Sequence, residues 1–462
     1  MRVIYSIVFA FVTTISLAQY GSQMPGIDNM HPFYNGTTTP TNNPYAPRTT
    51  EQVQFENMQR QDFQNNAIIQ QEMLRQTTKG AQEKELRNFL AEEKTKELAN
   101  TPLWELPSFV QQEQPYYTAL ATLQAQLQGK QPLNIKQAYY AIEQAHGNTM
   151  LNAKQYNQHI HQSTTFIKRW MIENKLNPNN NKAVHYALQR FMFDTLSIGK
   201  TQLEFANVAP KQHLPFYYDY DDYKAENDVR SYHITKTLAT GNGQCHTLPI
   251  IYLILAEALN APCYLTYAPL HSFIKYPDAK GLLHNYEVTT HWQISDQWYK
   301  EHMDISTKAQ YNKLYLAPLT KKQTIASALI DLACSYHTKY GVVSGDFITQ
   351  CNNLALSYFP KEANAIGLLL RNQVTHTLLN RYVHSQGFST QQQLEQNPTV
   401  QAMVTKLKAG NAQLQNLGYR EPPIQAYEQM MQESKALHPE IPTGNNLQPR
   451  QLFIALTPIP NK

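Results

Sequence analysis

The sequence predicts an α+β fold, with a buried helix packed on an antiparallel sheet and all-α regions on either side. Two observations carry this. Leu248, Ile250, Ile251, Leu253, Ile254, Leu255, Ala258 and Leu259 leave almost no polar face, which marks a helix buried all round. The short runs that follow it are rich in aromatic and branched residues and are separated by turn signals, so they read as strands.

Taken in order, residues 1–18 carry Arg2, an apolar run over 3–17 and small residues at Ser16 and Ala18. That is the order of a cleaved secretory signal peptide, so the mature chain is expected to be exported, to the periplasm or beyond the cell. Residues 19–50 are rich in Gly, Pro, Asn and Thr without an apolar period and read as a flexible leader. Residues 51–114 turn Gln- and Glu-rich, with Phe55, Met58, Ile69, Met73, Leu86, Phe89 and Leu90 at irregular helical spacing. Residues 115–200 signal a helical lead-in with helices over 116–127, 135–145, 151–176 and 183–198, punctuated by Gly147 and Pro178. The Tyr- and Asp-rich stretch 216–223 reads as an exposed loop and edge strand.

Residues 201–318 form the expected central domain. Gly241-Asn242-Gly243-Gln244-Cys245-His246 stands directly before the apolar helix. The glycines let the backbone turn sharply, and the free N–H groups of a first helical turn then surround the sulfur. The helix dipole and a nearby imidazolium both favour a thiolate. After the turn at Ala261-Pro262, residues 263–267 read as a strand and 271–276 as a second, in which His271, Phe273 and Lys275 share one face. A turn over 277–281 leads to a third strand over 284–290, where Asn285, Glu287 and Thr289 alternate onto one face. Such a hairpin places Glu287 or Asn285 beside the ring of His271, making a nucleophile, a base and an orienter. Asp296 is a further acid in the neighbourhood. The Cys245 N–H, with the Gln244 side chain, is the candidate oxyanion donor.

This order, Gly-x-Gly-x-Cys, apolar helix, Ala268-Pro269-Leu270-His271-Ser272-Phe273-Ile274 and Asn285-Tyr286-Glu287-Val288-Thr289, resembles the transglutaminase-like superfamily. The resemblance covers roughly residues 160–310 and implies a papain-related fold with a Cys, His, Asp triad in that chain order. It implies Cys245 as nucleophile, His271 as base and Glu287 in the place of the acid, with Glu standing where the family has Asp. The closest likeness is to the bacterial exported branch in which tetratricopeptide-like helices follow the domain.

Neighbouring residues read as structure. His246 would point elsewhere on the helix, and Cys263 sits among large apolar residues as packing. His284, His291 and His302 lack metal-ligand spacing, so no metal and no cofactor is expected. Four cysteines in 462 residues are far from a disulfide scaffold. With Cys245 free, Cys334 and Cys351 are the pair that a single disulfide would use.

In residues 319–437, Ile325, Leu329, Leu332, Ala333, Tyr336 and Tyr340 suit one helix, and Phe347, Cys351, Leu354, Ala355 and Tyr358 suit its partner. Ala355 with Pro360 five residues later resembles the second helix of a tetratricopeptide unit. Residues 438–462 read as an extended tail. With 39 basic and 35 acidic side chains and no basic cluster, nucleic-acid binding is not indicated. No later stretch reaches membrane-spanning length. The expectation is an exported cysteine enzyme acting on amide bonds of a protein or peptide substrate, as peptidase, deamidase or acyl transferase. The alternative is a catalytically quiet module of the cell envelope that binds a protein partner through the cleft and the C-terminal helices.

Overall fold

The structure, a computed structural model, describes residues 107–147, 149–199, 211–343, 345–388 and 390–422, with short pieces at 428, 431–432, 435–436 and 453–455. The expected signal segment, the leader and most of 51–114 lie outside the described residues. Those described mix helices with small sheets in an α+β arrangement.

Helix α1 (Pro107–Leu127) runs straight through the boundary expected at 115, with Pro115 inside it. Proline there removes one helical hydrogen bond. Burial of Tyr116, Ala119, Leu120, Leu123 and Leu127 keeps the helix continuous. Helices α2 (Ile135–His146), α3 (Ala153–Glu173) and α4 (Asn181–Phe193) each start at an asparagine that accepts a hydrogen bond from the first turn: Asn134, Asn152 and Asn180. The helix expected over 183–198 instead ends at Phe193. Asp194 leaves helical geometry at φ −115, ψ 149. Leu196 and Ile198 then bury on one face with Ser197 between them, the period of a strand, β1 (Leu196–Ile198). It pairs antiparallel with β2 (Lys211–His213), which pairs in turn with β8 (Phe453–Ala455) from the tail.

Strand β3 (Tyr217–Tyr218) is parallel to β4 (Asn242–Gly243), and Phe216, Tyr218 and Asp222 are buried. The stretch expected to be an exposed loop is therefore part of the support beneath the glycine motif. Between them lies α5 (Ile234–Thr240), closed by Gly241 in the left-handed region at φ 78. Helix α6 (Thr247–Ala258) follows and is buried over its first ten residues, Thr247 to Ala256.

Strands β5 (Tyr264–Ala268), β6 (His271–Pro277) and β7 (Leu283–Tyr286) make an antiparallel sheet in chain order. Alternation splits β6 between two cores. Ile274 and Tyr276 join the main core with α6, while Phe273 faces the opposite way into a second core with Tyr299, Met303 and Ile305. Those last residues come from α7 (Asp296–His302) and the segment leading to α8 (Thr307–Tyr311).

After the second core come α9 (Lys321–Tyr340), α10 (Asp346–Leu356), α11 (Ala365–Ser385), α12 (Gln391–Gln396) and α13 (Pro398–Leu417). Helix α9 packs on α10 and also on α1 and α2. Ile325, Ala326, Ala328, Leu329, Ile330, Leu332 and Ala333 are all buried, so the middle of this helix is largely enclosed and shares its core with the lead-in helices. All four cysteines are free thiols, and Cys334 and Cys351 do not form a disulfide.

Candidate active site

The glycine motif is held from both ends. Tyr217 N–H donates to Gly241 O at 2.8 Å and Asp219 N–H to Gly243 O at 2.7 Å. A Cβ on Gly243 would meet Thr237 Cγ2 at 2.6 Å, Thr247 Oγ1 at 2.8 Å and Leu248 Cδ2 at 2.9 Å, so only glycine fits. The start of α5 is capped from a distance by the buried carboxylate of Glu143, which accepts from Ile234 N–H at 2.5 Å and Thr235 N–H at 3.2 Å. Burial pushes that carboxyl up from 4.5 to about 7, against the pull of its hydrogen bonds to Thr235 and Ile234.

Cys245 sits in the turn between β4 and α6, two residues before the first helical residue, and is half-buried. Its Sγ is 3.8 Å from Leu270 O, and its carbonyl accepts from Ser272 Oγ at 2.6 Å. Gln244 is buried and turned inward. Its Oε1 accepts from His246 N–H at 2.6 Å and its Nε2 faces Ser231 O at 3.5 Å. The Gln244 side chain is thus tied to Ser231 and to the His246 N–H.

His271 opens β6 directly after the two-residue turn Pro269-Leu270, in which Leu270 takes φ 56. Its Nε2 is 2.6 Å from Glu287 Oε2, and its Nδ1 is buried without a hydrogen-bond partner. Burial alone would push the ring down. The Glu287 carboxylate and the Cys245 side chain outweigh it and raise the ring from 6.5 to about 10. Cys245 is among the side chains that favour the charged ring, and with Nε2 taken by Glu287, Nδ1 is the ring nitrogen left open.

Glu287 lies just beyond β7, where the chain closes a bridge to Trp292. Its Oε2 also accepts from Tyr299 OH at 2.6 Å, and its Oε1 from Thr289 N–H at 2.9 Å and Thr289 Oγ1 at 2.7 Å. Burial pushes this carboxyl up, but His271, Tyr299 and Thr289 together hold it below its usual value. Tyr299 is fixed by stacking on Phe273, with ring centroids 4.2 Å apart.

Asn285 is opposite Lys275 in the sheet, two positions along β6 from Phe273 and four from His271. Its Nδ2 donates to Asp296 Oδ1 at 2.7 Å, and Lys275 Nζ holds both Asp296 oxygens at 2.7 and 2.8 Å. Neither Asn285 nor Asp296 meets the ring. Tyr299 and Thr289 escaped the sequence reading. Thr289 carried a signal, since a strand over 284–290 would put it on one face with Glu287; the strand instead ends at Tyr286 and Thr289 holds Glu287 from the turn that follows, whereas Tyr299 comes from a different element.

Burial pushes the thiols of Cys263, Cys334 and Cys351 up, Cys334 to about 12, which keeps them protonated. His284 faces Asp278, and His302 Nδ1 is 2.9 Å from Trp298 O. Among the described residues no group of three or more His, Cys, Asp or Glu is placed to hold a metal ion, and no helix is long and apolar enough to cross a membrane. What fold and site define is an α+β protein with a Cys245, His271, Glu287 cluster at the junction of a buried helix and a hairpin. No family model, no curated protein and no solved structure matches this chain.

Proposed function

We propose that this chain is an exported, transglutaminase-like cysteine enzyme that acts on amide bonds of a protein or peptide substrate. The observation that carries the reading is the buried His271–Glu287 pair at 2.6 Å, with the ring's other nitrogen without a hydrogen-bond partner and Cys245 among the side chains that favour the charged ring. The order of elements behind the cysteine, a buried helix and then three antiparallel strands with base and acid on the second and just past the third, supports a papain-type core.

In this reading the imidazolium of His271 stabilises the Cys245 thiolate. The sulfur attacks the amide carbonyl, and the Cys245 N–H receives the developing oxyanion. His271 delivers its Nδ1 proton to the leaving amine, breaking the C–N bond and leaving an acyl thioester. Glu287 keeps Nε2–H oriented throughout. Water as second acceptor gives a peptidase or deamidase, and an amine gives acyl transfer. The helices α9–α11, of which α9 packs on the lead-in, serve as the tetratricopeptide-like support of that domain.

The test is the pH dependence of iodoacetamide alkylation at Cys245, read by peptide mass spectrometry. The expected result is that Cys245 is alkylated at acidic pH, where an ordinary thiol barely reacts, and that His271→Ala removes this reactivity. A thiol that reacts as an ordinary cysteine and ignores His271 turns the reading to the quiet protein-binding module.

A further inference from the structure

A second polar cluster adjoins Cys245, built from elements that the triad does not use. His246, the residue after the nucleophile, has its Nε2 3.9 Å from Asp331 Oδ2, on α9. That is too long for a hydrogen bond. Tyr139 OH, on α2, donates to the same oxygen at 3.2 Å. The His246 ring lies between two tyrosines, with centroids 5.9 Å from Tyr139 and 6.1 Å from Tyr232. Tyr232 is half-exposed, and the side chains of His246 and Asp331 each keep 21 % of their surface open. A largely enclosed carboxylate with one hydrogen bond is under-compensated, because enclosed charges are ordinarily paired.

The electrostatics agree with the geometry. Burial raises the Asp331 carboxyl above its usual value, against weaker support from His246 and Tyr139. Burial also pushes the Tyr232 hydroxyl up to about 12, with Cys245, Cys334, Asp222 and Asp331 adding to it, so this ring feels both the nucleophile and the carboxylate. The Tyr232 ring reaches this cluster through His246, whose ring meets it edge-on and whose Nε2 faces Asp331. Aromatic faces beside a carboxylate are the chemistry that holds an organic cation.

We propose that Asp331, Tyr232 and His246 form a cation-binding subsite beside Cys245, which selects substrates carrying a lysine or arginine side chain next to the amide that is attacked. The subsite deepens the cysteine-enzyme reading and rests on it. The cation takes the place on Asp331 that His246 reaches toward but does not fill, and its alkyl stem lies along the exposed Tyr232 ring.

The test uses the full chain and three methanethiosulfonate reagents, one cationic (trimethylammonioethyl), one neutral (methyl) and one anionic (sulfonatoethyl). Labelling is followed at the Cys245 peptide by mass spectrometry, which separates it from Cys334. The readout is the cationic-to-neutral rate ratio, compared between wild type and Asp331→Asn. The ratio is expected to fall about tenfold in D331N, the size of one nearby charge in a half-solvated cleft, while the anionic reagent gains. A ratio unmoved by D331N overturns the subsite. If circular dichroism shows that D331N does not fold, Tyr232→Ala is read instead, with an expected fall of about threefold, and no fall overturns the proposal. The neutral reagent distinguishes the two levels of the argument. A fast neutral reaction that depends on His271, with a ratio indifferent to D331N, refutes the subsite alone. A neutral reaction as slow as an ordinary thiol's and indifferent to His271→Ala overturns both.

Discussion

Glu287→Gln is the sharpest perturbation of this site, because it removes one charge and almost no volume. The carboxylate is 2.6 Å from His271 Nε2 with both side chains nearly enclosed. At an effective dielectric constant of about 20, two unit charges at that distance attract by roughly 6 kcal/mol. Desolvation offsets part of this, and removing one partner of a buried pair costs about 3–5 kcal/mol. Burial is the largest single influence on the ring and opposes its charge, so without Glu287, with only Cys245 left to oppose burial, the His271 ring should titrate well below about 10. Proton NMR of the imidazole across a pH series measures this directly. Stability should follow by linkage. His271, raised in the folded state, contributes fully below 6.5, and its contribution is lost as pH rises through about 10. Glu287, lowered in the folded state, contributes above 4.5, and its contribution is lost as pH falls below that. The stability gap between wild type and E287Q is therefore widest between the two ordinary values, 4.5 and 6.5, and narrows on either side. A variant whose ring still titrates near 10 would refute the claim that Glu287 holds the charge on His271.

Other outcomes follow from the same contacts. Tyr299→Phe deletes a charge-assisted hydrogen bond of 2.6 Å to Glu287, and urea unfolding should show a loss of about 1.5–3 kcal/mol. Gly243→Ala forces a methyl group to within 2.6–2.9 Å of Thr237, Thr247 and Leu248; calorimetry should show a lower Tm, equivalent to about 1–3 kcal/mol. Asn285→Ala should leave the pH profile of Cys245 alkylation unchanged, because that amide serves Asp296 and not the ring. Glu143, raised from 4.5 to about 7, binds its proton more tightly when folded, so it makes the protein lose stability as pH rises from 4.5 through 7. Glu143→Gln should flatten that slope in denaturant titrations at stepped pH.

Local chemistry made much of this protein legible. The asparagine caps, the apolar run of α6 and the alternation of β6 are nearest-neighbour properties, and they place Cys245 before a helix and His271, Phe273 and Lys275 on one face. The misread positions have local reasons as well. Asp194 ended α4 before a segment whose apolar residues suit helix and strand alike, and burial of the residues after Pro115 carried α1 past a residue that ordinarily marks a break.

Which acid meets the imidazole was not legible, because alternation fixes the face of a strand but not the position along it. Asn285 and Glu287 share a face, and only the register of β6 with β7, set by the turn between them, puts Asn285 at Lys275 and carries Glu287 toward His271. Tyr299, which holds Glu287, and Asp331, which lies beside His246, arrive on separate helices whose docking depends on burying both faces of the sheet and the middle of α9. Residue types and local geometry come from the sequence read in short windows. The meeting of side chains far apart in the chain is decided by packing of the whole core, and no window contains it.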